Sequence, residues 1–201
     1  MTAFAIQANA DILPASTKDI CQQSIGMYQM PQHIIVYEKP DTKTQILYKA
    51  NWDYKSFNSS NGGFDKIFSV FVQDKELAYV QVTDFTDDWI EIIYDKNTQK
   101  RGWIQAEDLR FMQWRNFYNI YGRKYGLKIF SDSPKFVKDI HSSTENDSQI
   151  IQTLKKPLKI KLTVVKGNWA LITAIENNIG NTGYIRWRSD DGIIFAFPAI
   201  K

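Results

Sequence analysis

Two stretches of this chain run through the same succession of residues, and that repetition constrains the fold more than any other feature. In the first, Trp89 enters the alternating run Trp-Ile-Glu-Ile-Ile-Tyr, a polar turn follows, and Gly102-Trp103-Ile104 opens the next apolar run. In the second, Trp169 enters Trp-Ala-Leu-Ile-Thr, and Gly183-Tyr184-Ile185 follows the turn. Val80 and Val82 precede Trp89 by nine and seven residues, and Ile160 and Leu162 precede Trp169 by the same intervals. The glycines follow their tryptophans by 13 and 14 residues, a difference that a hairpin loop absorbs. Self-similarity of this kind marks duplicated domains. Period-two alternation bounded by turn residues predicts strands in both copies.

The remaining runs extend the pattern. His33–Tyr37 stops at the turn signal Lys39-Pro40-Asp41, and Gln45–Tyr48, Phe68–Val72 and Leu77–Val82 follow as short β-rich segments. After residue 126 come Leu127–Phe130, ended by Pro134, then Ile150–Leu154 and Leu158–Val164. Leu127–Phe130 with Pro134 has the same order as Ile35–Tyr37 with Pro40, which pairs those two runs as counterparts. Asn177–Gly183 reads as a hairpin turn, with Asn and Gly where positive φ is least costly. Lys159 and Lys161, two apart on a strand, share a solvated face.

Three segments break the pattern. Residues 11–31 read as an opening segment with a short helical turn capped by Ser16 or Thr17 and ended by Pro31. Residues 51–65 hold Trp52, Tyr54 and Phe57 before an Asn/Ser/Gly stretch, which predicts an inserted loop. Residues 111–126 place Phe111, Trp114, Phe117, Tyr118, Tyr121 and Tyr125 at three- and four-residue steps, the stripe of a linker helix. Burial is the expected fate of that stripe, with a ligand-stacking face as the alternative.

The repeated elements Val80/Val82, Asp87-Asp88-Trp89, Ile90/Ile92 and Gly102-Trp103-Ile104, with Ile160/Leu162, Gly167-Asn168-Trp169, Leu171 and Gly183-Tyr184-Ile185, resemble bacterial SH3-like (SH3b) domains. The resemblance implies an all-β protein of two small SH3-like barrels joined by a short aromatic-rich helical linker. The barrels would span 32–110, with the inserted loop 51–65, and 127–201. It further implies recognition of cell-wall peptide or of an envelope protein. In a barrel this small one large ring beside alternating aliphatics fills the interior, so at least three of Trp89, Trp103, Trp169 and Tyr184 are expected to be largely core. The glycine before each aromatic is expected where another backbone comes close.

Composition narrows the function classes. Of 201 residues, 43% are hydrophobic and 14% aromatic, enough for real cores, and the charged 23% spread along the chain argue against a membrane span. A net charge of +3 is small for this length, so a nucleic-acid partner is not expected. Residues 2–10 are small and apolar and end in Ala8-Asn9-Ala10, the small-x-small form of a signal-peptidase site. Residues 1–10 are read either as the remnant of a signal peptide, which places the protein in the periplasm or outside the cell, or as a flexible tail. Cys21 is alone, either a small buried hydrophobe or a link to another chain.

No cofactor, metal or catalytic residue is expected. His33 and His141 are the two histidines; Cys21 with His141 lies in no catalytic context, metal-ligand spacing is absent, and no phosphate-binding glycine loop occurs. Asp87/Asp88 and Asp190/Asp191 read as turn chemistry. Binding is the remaining category. Its candidate residues are Trp52, Tyr54 and Phe57 on the inserted loop, weighed against packing as a satellite cluster, and Arg186 and Arg188, whose alternation sets Trp187 on the opposite side. Two functions follow: an exported tandem binding protein for cell-wall peptide or a periplasmic protein, or an inhibitor or immunity protein neutralising an envelope enzyme.

Overall fold

The alternating runs become antiparallel hairpins. The structure, a computed structural model, describes residues 2–5, 11–53, 56–60, 62–107, 110–145, 147–155, 159–176 and 178–200, and Ala8, Asn9 and Ala10 of the expected cleavage site lie outside them. The chain is predominantly β and divides into two units, 1–14 with 23–113 and 15–22 with 114–201. Unit 1 carries β1 (Thr2–Ala5), β2 (Gly26–Gln29), β3 (His33–Tyr37), β4 (Ile46–Trp52), β5 (Ser56–Ser59), β6 (Val70–Val72), β7 (Leu77–Phe85), β8 (Trp89–Asp95), β9 (Lys100–Gln105) and β10 (Phe111–Gln113). Unit 2 carries β11 (Leu127–Ile129), β12 (Asp139–His141), β13 (Ile150–Thr153), β14 (Lys159–Lys166), β15 (Trp169–Glu176), β16 (Ile179–Arg186) and β17 (Ala196–Pro198).

The two sheets have one topology. In unit 1 the order is β1-β5-β4-β3-β9-β8-β7-β2-β10, with β6 also on β7; in unit 2 it is β13-β12-β16-β15-β14-β11-β17. Removing β1, β5 and β6 leaves the same path, with β4 matching β13, β3 matching β12, and β2 matching β11. The register agrees at single-residue level. Val82 pairs with Ile92 and Leu162 with Ile172, and in both sheets the register slips just after that pair. Trp89 pairs with Gln105 and Trp169 with Arg186; Tyr37 meets Trp103 and His141 meets Tyr184. A bulge lies before Tyr37 and another before His141.

The glycines of the repeat explain why that register is obligatory. A Cβ on Gly102 would lie against Val36 Cγ1 and 2.9 Å from the Tyr37 carbonyl oxygen. One on Gly183 would lie 2.5 Å from Ile140 Cγ2 and 2.6 Å from the His141 carbonyl oxygen. Each glycine therefore admits the neighbouring strand at the same place, as expected of the motif. Inside unit 1, Val36, Val80, Val82, Ile90, Ile92 and Ile104 are buried, each contributing about 1.5–3 kcal/mol by leaving water.

Several expectations are corrected. The counterpart of Leu127–Ile129 is β2, inside the expected opening segment, and not Ile35–Tyr37, whose place is taken by Ile140 and His141. The segment 11–31 is divided: Ile12 bridges Phe71 in unit 1, whereas the 3₁₀ turn Thr17–Asp19 belongs to unit 2, where Thr17 donates to the Asp132 carboxylate. Asp19 accepts the backbone N–H groups of Ala15 and Ser16 at 2.8 Å, so the turn is capped as read, with Ser16 as N-cap. The expected inserted loop 51–65 is strand over residues 51–52 and 56–59. β4 runs on to Trp52 and β5 returns beside it, Trp52 facing Phe57, because these rings bury against Phe68 and Phe71.

Residues 111–126 do not form one linker helix. Phe111–Gln113 pairs with β2, where Gly26 leaves room for the Met112 carbonyl, and only Trp114–Tyr125 is helical, with a π turn at Tyr118–Gly122 between short α segments. Three rings of the stripe, Trp114, Phe117 and Tyr118, are buried, whereas Phe111, Tyr121 and Tyr125 are half-buried. Trp114, Phe117 and Tyr118 pack on Phe197, Tyr118 lies 4.2 Å from the Trp187 ring centroid, and its hydroxyl donates to the Ala196 carbonyl at 2.5 Å. The second hairpin is tighter than read: Glu176 already pairs with Ile179, and Asn178 takes a φ of 64°. Lys159 and Lys161 are exposed and Cys21 is buried, matching their residue types.

Candidate binding groove

Strand alternation decides which side chains are free to act. Ile90, Ile92 and Ile104 point into unit 1, so Trp89, Glu91, Trp103 and Gln105 stand on the opposite face of β8 and β9. Trp89 and Trp103 are half-buried there, and Tyr37 meets the Trp89 ring edge-on at 5.6 Å and 85°. This corrects the expectation that at least three of the four repeat aromatics are core. Only Trp169 is buried, and Tyr184, like Trp89 and Trp103, is half-exposed. The signal was available: a tryptophan in phase with Glu91 and out of phase with Ile90 and Ile92 belongs to the outer face.

Beside this patch lies a groove of about 1020 Å³. It is lined by Pro31–Ile35, Tyr37, Trp52, Asp88, Trp89, Gln105–Glu107 and Arg110. The Trp52 indole N–H donates to the Pro31 carbonyl at 2.6 Å, which ties that part of the lining to the core. The rim at Glu107 is fixed by its backbone N–H, which donates to the Tyr28 hydroxyl at 2.9 Å. Burial pushes the Tyr28 phenol up despite that bond, so the hydroxyl stays protonated. Arg110 Nε meets Glu107 Oε2 at 2.6 Å, and His33 Nδ1 meets Asn51 Oδ1, which leaves Asp88 as the carboxylate at the Trp89 end.

In unit 2 the corresponding ring is covered, and Asn168, Trp169, Arg186 and Asp190 line a shallower concavity of about 590 Å³. His141 meets Trp169 edge-on at 5.1 Å and 70°, as Tyr37 meets Trp89. Over the ring, however, sits the Arg186 guanidinium at 4.9 Å, held by Asp190 at 2.7 and 3.3 Å, with Asn168 donating to the same carboxylate at 2.9 Å. These bonds from Arg186 and Asn168 hold the Asp190 carboxyl below its ordinary value. Lys166 lies over the Tyr184 ring at 5.6 Å.

The residues singled out from sequence therefore separate. Trp52 and Phe57 are core side chains of unit 1, with only the Trp52 edge at the groove, and Tyr54 lies outside the described residues. Arg186 covers Trp169. Arg188 is half-buried and donates to the Gly192 carbonyl at 3.4 Å, with desolvation holding its guanidinium pKa down. Trp187 points inward, opposite Arg186, as alternation required. Tyr37, Asp88, Trp89 and Gln105 were not recognised as site residues. Among the described residues, no group of three or more His, Cys, Asp or Glu has an arrangement to hold a metal ion, and no helix is long and apolar enough to cross a membrane. No family model matches the chain, and no curated protein matches it either.

Proposed function

We propose that this chain is a non-catalytic tandem binding protein of SH3b-like modules, acting in the periplasm or outside the cell, in which the unit 1 groove takes an extended peptide of cell-wall material or of an envelope protein. The observation that carries the reading is the half-exposed Trp89–Tyr37 pair lining a groove of about 1020 Å³. Aromatic rings there offer large contact area at low entropic cost, and strand β3 beside them supplies peptide groups for an extended ligand. The SH3b assignment is supported by the duplicated seven-strand path and by the paired Gly102 and Gly183. The extracytoplasmic location is supported by the Ala8-Asn9-Ala10 sequence.

The test is co-sedimentation of the purified protein with purified sacculi, beside affinity capture from an envelope extract, with Trp89→Ala as the variant. Trp89 is half-exposed, so the variant keeps the fold, which its circular dichroism checks. Sedimentation lost in Trp89→Ala supports wall recognition. A stoichiometric captured enzyme, inhibited on binding and released by the same variant, points instead to the inhibitor. Partners retained in full by a folded Trp89→Ala protein would sink the groove as the site.

A further inference from the structure

The equivalence between the copies shows what the open groove is built to hold. In unit 2 the site contains a cation supplied by the chain itself: the Arg186 guanidinium lies 4.9 Å from the Trp169 ring centroid, its side chain only 14% exposed, oriented by Asp190 and Asn168. Cation–ring attraction of this kind grows as water is excluded. Arg186 reaches the ring from the position directly across the ladder from Trp169.

In unit 1 three parts of that arrangement have counterparts, with the charges altered. The ring is Trp89, its cross-ladder partner is the neutral Gln105, and Asn168 is replaced by Asp88. Unit 1 thus keeps the aromatic face, has the Asp88 carboxylate where unit 2 has the Asn168 amide, and lacks the built-in cation. Arg110, which also lines the groove, is paired with Glu107, and among the described residues no cation lies over Trp89.

We propose that the Trp89 face with Asp88 is a cation subsite, accepting the guanidinium or ammonium of an arginine or lysine on the bound peptide, and that Arg186 is the self-supplied occupant of the duplicate subsite. This rests on the groove being a peptide site and adds the charge of what it holds. Tryptophan ranks first among rings for such contacts, and a flat guanidinium stacks on it better than a compact ammonium does.

The experiment follows the indole N–H signals of the full chain by NMR during titration with acetyl-Gly-Arg-Gly-amide, its lysine analogue, and the neutral citrulline analogue. The arginine peptide moves the Trp89 signal, the lysine peptide does so more weakly, and the citrulline peptide binds about tenfold less tightly. Asp88→Asn weakens the arginine peptide roughly three- to tenfold. Gln105→Arg installs the unit 2 occupant and abolishes the response. Arg186→Gln adds a second response at Trp169. If arginine and citrulline peptides move the groove signals equally, the cation subsite is wrong while the peptide groove stands. If no probe moves any groove signal, both readings fail. A folded Arg186→Gln protein silent at Trp169 overturns the self-occupancy; should that variant not fold, Gln105→Arg decides alone, and unchanged binding to it refutes the proposal.

Discussion

Replacing Gly183 with alanine adds one methyl group where two strands have no space for it. The new Cβ would lie 2.6 Å from the His141 carbonyl oxygen and 2.5 Å from Ile140 Cγ2, both well inside van der Waals contact. The oxygen belongs to backbone, so relief requires β12 and β16 to part at the place where His141 meets Tyr184. Overpacking of a fixed site costs about 1–3 kcal/mol, and a backbone neighbour puts this one near 3 kcal/mol. For a unit of this size that lowers the melting temperature by about 12 °C or more. Gly102→Ala carries the same cost in unit 1, against Val36 and the Tyr37 carbonyl. Gly180→Ala is the internal control, on the same strand as Gly183, where the Cβ meets only Thr173 Cγ2 at 3.6 Å. Its expected effect is nil to about 1 kcal/mol of stabilisation, from the reduced freedom of the unfolded chain. Urea unfolding measures all three, and amide exchange reports which unit opens. Gly183→Ala within about 0.5 kcal/mol of Gly180→Ala would refute the close-approach argument, since surface substitutions without such a contact fall in that range.

Two further outcomes concern ionisation. Burial pushes the Tyr48 phenol up to about 12 from its ordinary 10.0, only partly offset by Ser59. The folded pKa is the higher one, so this contribution is whole below pH 10 and is lost as the pH rises toward 12. Two units at about 1.36 kcal/mol each make that loss roughly 2.7 kcal/mol. The Tyr48 hydroxyl makes no hydrogen bond of normal geometry, so Tyr48→Phe stays within about 1 kcal/mol of the parent at pH 7 and flattens its alkaline decline, as urea midpoints from pH 8 to 11.5 will show. The Asp190 carboxyl is held low, first by Arg186 and then by Asn168, so its contribution is present above the ordinary carboxylate value and lost as the pH falls through the lowered one. Acidification through that window is therefore expected to free Arg186 and change the Trp169 indole signal, a change absent from Asp190→Asn.

Much of the fold was legible because alternation is a local signal. His33–Tyr37 and the strands entered by Trp89 and Trp169 have the boundaries at which period-two runs begin, and the glycines announced a close approach. What failed was non-local. β2 is only Gly-Met-Tyr-Gln and carries no alternation of its own; it is a strand because β7 and β10 flank it. Phe111 joined a helical stripe by spacing, yet the ladder to Tyr28 claims it first. His141 opened a polar stretch in sequence, but its backbone closes the ladder to Tyr184. The site was missed for another reason: size suggested that a tryptophan must fill a core, whereas its phase relative to Ile90 and Ile92 had already turned it outward.

The two copies divide into positions that packing fixes and positions that it leaves open. Inward pairs stay aliphatic, Val82 with Ile92 and Leu162 with Ile172, because each fills a volume that a polar group would leave unsatisfied. The glycines stay because a strand lies against them. On the outer face, by contrast, Tyr37 corresponds to His141, Asp88 to Asn168, Glu91 to Leu171 and Gln105 to Arg186, so charge changes at three of these four positions while the frame beneath them keeps its register. Water tolerates either set, so the frame alone does not require the difference. Unit 2 ends with its ring shielded by its own guanidinium; unit 1 ends with Trp89, Trp103 and Tyr37 half-exposed on one face and a carboxylate beside them. A contiguous aromatic patch carries a continuing hydrophobic cost that scattered rings do not. The copy left uncovered is the one whose charge is complementary to the cover its twin supplies for itself, and that complementarity makes unit 1 the half of the chain where a ligand is to be sought.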